Sequence, residues 1–199
     1  LYTFEEPGER VIAIMTAGSL SVTQTTLAKL RDAIEDDHTT PETSIMLAPT
    51  MLKVAEIVGA RLAEVRAEVD RKLSEMQGAS ASLIVAGQRR GEAMRLFLIY
   101  PEGNFIEAGE DNPFFQIGET KYGRPIIVRS YGPAMSFGDA VKLLCVSFDS
   151  PIRANAGVDL PIDLKFHGRD DCVSVRERRF ERGDPYFDSV ANGWAEALG

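Results

Sequence analysis

The chain has 199 residues, 44% hydrophobic and 26% charged, which is enough apolar matter for one substantial core and one or at most two domains, and rules out a disordered chain. Thirty acidic against twenty-two basic residues give a formal charge of −8, so the electrostatic footprint needed for phosphate backbones or anionic lipid is missing, and neither nucleic acid nor membrane is an expected partner. No apolar stretch approaches the roughly 20 residues that cross a bilayer, and the first residues lack the basic and apolar regions of a signal peptide; a soluble, cytoplasmic protein is expected.

Leu1-Tyr2-Thr3-Phe4 alternates and reads as a strand already under way, with no initiator Met, so the expectation is that a segment precedes Leu1. Pro7-Gly8 predicts a tight turn into Val11–Thr16, an apolar run that fits a strand buried on both faces. This run ends at Ala17-Gly18-Ser19, and Leu20, Leu27, Leu30 and Ile34 then recur at helical spacing. The strongest periodic signal follows: Met51, Ala55, Val58, Leu62, Val65, Val69, Leu73 and Met76 form one long amphipathic helix. Its stripe reads as core, or as the seam for a partner helix.

Ser82–Gly87, Met94–Tyr100, Asn104–Ala108 and Phe114–Gly118, separated by turns that contain Gly, read as an antiparallel meander. A helix is expected over Ser136–Phe148, strands over Pro161–Phe166 and Cys172–Phe180, and a last helix over Pro185–Leu198. Strands and helices do not alternate regularly, so a layered α+β fold with helices outside packed sheets is expected.

Phosphate loops, dinucleotide fingerprints, nucleophile elbows and paired zinc-binding histidines have no match. With only His38 and His167 a multi-imidazole zinc site is impossible, and both read as loop or strand-end residues. Cys145 and Cys172 have no metal spacing and read as reduced core residues, so neither metal nor cofactor is expected. Glu5-Glu6, Glu35-Asp36-Asp37 and Asp170-Asp171 adjoin turn signals and read as solvated charge. Arg176-Glu177-Arg178-Arg179 reads as an exposed or subunit-contacting strand, with an anion site as the alternative.

Pro7-Gly8-Glu9-Arg10 leading through Val11–Thr16 into Ala17-Gly18-Ser19 resembles the third-strand-to-first-helix passage of proteasomal β subunits and HslV-type proteases, and most of all the Anbu kind. Gln116–Ile126 and Ser147-Phe148-Asp149-Ser150 running to Leu160–Leu164 extend the resemblance over nearly the whole chain in the same order. The resemblance implies a single domain over 1–199, lacking its first strands, in a four-layer αββα sandwich. It also implies a threonine-type N-terminal nucleophile hydrolase acting on peptides or amides in a homo-oligomer, as a ring or open helical particle. In that family the nucleophile is a Thr at the mature N-terminus, whose own α-amine takes up the proton. Leu1 cannot do this chemistry, so the Thr, its supporting Asp and the catalytic Lys are expected upstream.

The family position of Gly18-Ser19 is the one where a Gly backbone N–H meets the oxyanion; the plain alternative is an ordinary strand-to-helix turn. Gly118 and Glu119 match the Gly-Ser turn beside the active Thr, with Glu in place of Ser, and Asp149 is the candidate acid near the nucleophile's amine. Ala154, Ala156 and Gly157 stand where hydroxyl or acidic helpers are expected. Two other readings stay open: a non-catalytic assembly subunit, and an HslV-like protease served by an ATP-dependent unfoldase.

Overall fold

The computed structural model describes residues 1–73 and 79–199. Among these the chain is α+β, with a five-stranded antiparallel sheet, a two-stranded sheet and five helices. It gathers into two compact units: Leu1–Ile117 with Phe166–Val175, and Gly118–Lys165 with Arg176–Gly199.

In the first unit, β1 (Tyr2–Glu6), β2 (Arg10–Gly18), β3 (Ala81–Arg89), β4 (Arg95–Ile99) and β5 (Phe105–Glu107) pair in chain order. Between β2 and β3 the chain inserts α1 (Leu20–Glu35) and α2 (Met51–Leu73), which pack on each other and on the sheet. Strand side chains alternate, so Ile12 and Ile14, Leu83 and Val85, and Phe97 and Ile99 share the face that forms the core with these helices. Val11, Ala13 and Ile84 are buried on the opposite face, as the two-sided strand reading requires; it stops at Met15, which is 41% exposed.

One helix reading needs adjustment. Leu20 is not in the stripe of α1: it is 66% exposed at the first turn, and Val22, Thr23, Thr26, Leu27 and Leu30 are buried instead. The two threonines fit because their hydroxyls donate to the carbonyls of Leu20 and Val22 at 3.0 and 2.8 Å, leaving their methyls for the core. Helix α2 buries Met51, Ala55, Val58, Leu62 and Val65 as expected and Val54 in addition, and Met76 lies outside the described residues. Lys29 of α1 ties the helices by ion pairs to Glu64 and Glu68 of α2.

Arg10 is buried on the helix-facing side of β2 and donates from Nη1 to the carbonyls of Ile45 and Ala48, at 3.1 and 3.0 Å. Burial pulls its pKa below the ordinary value of an arginine, with the neighbouring Arg89 adding to the effect. These bonds hold the segment between α1 and α2 against the sheet. At the other side of the unit, Gln88 receives Asp170: its Nε2 donates to Oδ1 and its Oε1 accepts the Asp170 N–H, both at 2.8 Å. Asp170 is exposed, as the solvated reading expects, and is bonded to Gln88 as well.

The expected strand at Phe114–Gly118 does not form. Pro113 offers no N–H to a ladder, and Gly118 takes φ +82, which ends an extended run. The meander therefore consists of β3, β4 and β5.

In the second unit, α3 (Arg124–Ser130) went unread; at seven residues it is too short for periodicity, and Pro125 in its first turn is its one signal. Helix α4 (Phe137–Ala154) begins where expected, with Ser136 Oγ accepting the Asp139 N–H, but runs past Phe148 and through Pro151. Asp149, Ser150 and Pro151 are thus helical rather than loop residues. Helix α5 (Pro185–Leu198) has the expected bounds, and its cap Asp184 accepts the N–H groups of Phe187 and Tyr186, which hold its carboxyl below the usual range. Phe180, Phe187, Ala191 and Cys145 form this unit's core. Of the two-stranded sheet of β6 (Ile162–His167) and β7 (Ser174–Phe180), residues 162–165 and 176–180 belong to this unit; Cys172, in the first unit, precedes β7 in a left-handed conformation and is not part of it. The β7 arginines are exposed, and two of them are ion-paired, Arg178 with Asp184 and Arg179 with Asp163 and Glu181, which argues against the anion-site alternative.

One close approach sets the position of α2. A Cβ on Gly59 would stand 2.1 Å from the Gly103 carbonyl oxygen in the β4–β5 turn. An alanine in a helix ordinarily gains ~1 kcal/mol over glycine. Here the clash with fixed backbone reverses the sign, and Gly59→Ala is expected to cost about 1–3 kcal/mol, read from the urea midpoint. A midpoint that rises would contradict this packing.

Candidate functional site

Gly18 ends β2, and the register decides where its backbone points. It stands opposite Ala81, and the last ladder bond runs from the Ser19 N–H to the Ser80 carbonyl at 2.8 Å. Gly18 and Ala81 are therefore a non-hydrogen-bonded pair, so the Gly18 N–H turns away from β3 toward the edge that β1 shares. On that edge the pairing of β1 ends at Tyr2↔Ile14, short of Gly18, and Gly18 is exposed. Its φ of +105 is open to glycine and strained for other residues. A Cβ there would lie 2.4 Å from the Ser80 oxygen that receives Ser19.

Helix α1 starts beside this amide, and its first turn carries no acidic side chain to offset the partial positive charge of the helix end. Ser19 is the N-cap, yet its side chain makes no capping bond; its Oγ lies 3.1 Å from Ser21 Oγ. With its own N–H given to Ser80, Ser19 contributes a hydroxyl and no amide. The turn thus combines an outward glycine N–H with a positive helix terminus, which suits it to receive a developing negative oxygen.

Gly118, Glu119 and Asp149 belong to the second unit, while Gly18 and Ser19 belong to the first. Gly118 has φ +82 and passes directly to Glu119, whose Oε1 accepts the Lys121 N–H and whose Oε2 accepts Asn155 Nδ2, each at 2.8 Å. Asp149 is buried on α4, and both its oxygens accept from Arg153 Nε at 3.0 Å, one turn on. Its charge is already matched by a guanidinium whose side chain is 61% exposed.

Asn155 escaped the sequence reading, which weighed Ala154, Ala156 and Gly157 around it. Its signal is the Asn-Ala-Gly order, since an Asn side chain bonds the backbone two residues on. Here its Oδ1 accepts the Gly157 N–H at 2.8 Å. The cysteines are both buried, and burial pushes the Cys145 thiol up to about 11, which keeps it protonated and unreactive as a nucleophile. Among the described residues no group of three or more His, Cys, Asp or Glu could hold a metal ion, and no helix is long and apolar enough to cross a membrane.

An antiparallel meander with a helix pair inserted after its second strand, and an outward glycine amide where that strand meets the first helix, is the pattern expected of a proteasome-like β subunit. Solved structures agree. Anbu from Hyphomicrobium sp. strain MC1, in its Gly-1 mutant form, is 41% identical with a TM-score of 0.91 over 99% of this chain and 80% of that one. Anbu, the ancestral β-subunit, from Yersinia bercovieri is 35% identical, TM-score 0.88, with the same coverage. The Anbu complex from Pseudomonas aeruginosa, solved as a helical assembly, is 35% identical at TM-score 0.92, again over 99% and 80%. Neither a protein-family model nor a curated protein matches the chain. The chain belongs to the Anbu family of proteasome-like β subunits.

Gly18→Ala puts a side chain both into a strained φ and onto the Ser80 carbonyl. It is expected to lower stability by about 1–3 kcal/mol in urea unfolding. An unchanged midpoint would mean that this turn is looser than described.

Proposed function

We propose that the chain is a subunit of a self-assembling cytoplasmic particle that hydrolyses peptide or other small amide bonds by threonine-type chemistry, with a Thr ahead of Leu1 as nucleophile. The observation that carries this reading is the Gly18 amide, turned out of the β2–β3 ladder beside the start of α1. An ordinary strand-to-helix turn has no need to hold a glycine at φ +105 with its N–H directed outward.

In this reading the Thr hydroxyl attacks the amide carbonyl carbon while the Thr α-amine takes the hydroxyl proton. Charge moves onto the carbonyl oxygen, and the Gly18 N–H donates to it. The C–N bond then breaks, the amine leaves with the proton, and water attacks the resulting ester to release the acid and restore the Thr. One preorganised donor of this kind contributes roughly 3–4 kcal/mol to such a barrier. In this reading the turn Gly118-Glu119 serves beside the nucleophile, an assignment that draws on its likeness to the family's Gly-Ser turn.

Two further inferences rest on family membership. Self-association is supported by the helical assembly of the Pseudomonas aeruginosa relative. A single domain in a four-layer αββα sandwich is supported by the TM-scores together with a five-stranded sheet carrying helices on one face.

A second reading, a non-catalytic assembly subunit, draws on Asp149, whose carboxylate is engaged by Arg153, and on the absence of a hydroxyl or acid at Ala154, Ala156 and Gly157. One comparison separates the two. A protein carrying the proposed N-terminal Thr is assayed against a peptide and amide library beside a variant in which that Thr is Ala, with particle size checked by light scattering. Hydrolysis by the first and none by the second, at equal size, is expected. A folded, assembled protein no more active than its Ala variant would leave the assembly role.

A further inference from the structure

Three bonds of 2.8 Å converge on the end of α4 and involve only groups of the second unit. Glu119 Oε1 takes the Lys121 N–H, Glu119 Oε2 takes Asn155 Nδ2, and Asn155 Oδ1 takes the Gly157 N–H. Asn155 is itself fixed as the C-cap of α4, its own N–H bonded to the Pro151 carbonyl. The contact joins positions 36 residues apart in the chain. It therefore fastens the turn that follows Gly118 to the loop that leaves α4.

The network has a direction that no other arrangement of the same atoms satisfies. An ionised carboxylate can only accept, and an amide has one accepting and one donating end. Rotating the Asn155 amide by half a turn would set its oxygen against the carboxylate and its NH2 against the Gly157 N–H. Both half-buried side chains are thus held in one orientation, and Gly118, with its left-handed φ, is the joint that this orientation pins.

Building on the hydrolase reading, we propose that Asn155 is a positioning residue: by gripping Glu119 it sets the backbone of the Gly118-Glu119 turn for amide hydrolysis. A residue that merely fastened a loop would change stability and leave turnover alone. One that positions the turn acts on kcat, because misplacement by an ångström or less is felt in the transition state.

A reciprocal swap in the full-length protein tests this. Asn155→Asp places oxygen against oxygen where the bond stood, and Glu119→Gln places NH2 against NH2. The combined Glu119→Gln/Asn155→Asp variant restores every bond with the net charge unchanged: the new glutamine NH2 donates to the new carboxylate, and the Lys121 and Gly157 N–H groups keep their acceptors. Each single variant, shown to be folded by circular dichroism, is expected to lose kcat on the order of tenfold to a hundredfold with little change in KM. The swap is expected to recover most of it, giving a strong coupling in the double-mutant cycle. In Asn155→Asp the deficit relative to wild type should shrink as pH falls, when one carboxyl gains a proton to share with the other. Full kcat in the single variants, or a swap no better than either, would overturn the role of Asn155 and leave the hydrolase reading intact. A wild type that hydrolyses nothing would overturn that reading and this role with it.

Discussion

The pairing register of β2 with β3 is the constraint on which the account of this protein depends. From Arg10↔Arg89 to Gly18↔Ala81 the two strands share one alternation, which gives the last amide of β2 no partner on β3. A slip of one residue would exchange the bonded and non-bonded positions along the whole strand and turn the Gly18 N–H into the ladder. Several groups oppose this slip. Ile12 and Ile14 would leave the face that α1 and α2 cover, and Arg10 would withdraw its guanidinium from the carbonyls of Ile45 and Ala48. Packing at one end of the strand thus fixes the direction of a single N–H at the other.

The second unit is organised by polar groups as much as by its small core. The hydroxyl of Ser147 donates to the Gly123 carbonyl and joins α4 to the start of α3, while Asn155 joins the end of α4 to Glu119. Asp149, which the sequence offered as an acid beside the nucleophile's amine, is instead matched by Arg153 on the same helix. Such a pair holds the carboxylate in place and offsets its charge, and in the proposed reading the amine and hydroxyl of the Thr would then supply most of the proton chemistry themselves.

Local chemistry made much of the fold legible. Strand β2 and helix α2 follow from unbroken apolar patterning, and α5 from a capping Asp184 followed by Pro185. Features set by tertiary contact did not show. Leu20 fits the helical stripe of α1 by spacing yet sits in the first turn, before the helix has reached the sheet. Helix α4 runs past the expected end at Phe148 and through Pro151, which is buried in its last turns, where packing outweighs the one backbone bond a proline removes. At the site, Gly18 was singled out by the resemblance of its strand-to-helix passage to the family, and its φ became known only from the structure, whereas the grip of Asn155 on Glu119 is a long-range contact that no local pattern announces.

The most direct measurement is a high-resolution structure of the protein bearing a peptidyl boronate on the Thr proposed as its nucleophile. The tetrahedral boronate stands in for the intermediate, one of its oxygens taking the place of the oxyanion. The account predicts an oxygen about 3 Å from the Gly18 nitrogen, along its N–H direction. A boronate adduct whose oxygens lie away from Gly18, or a Gly18 N–H bonded within the protein, would contradict it.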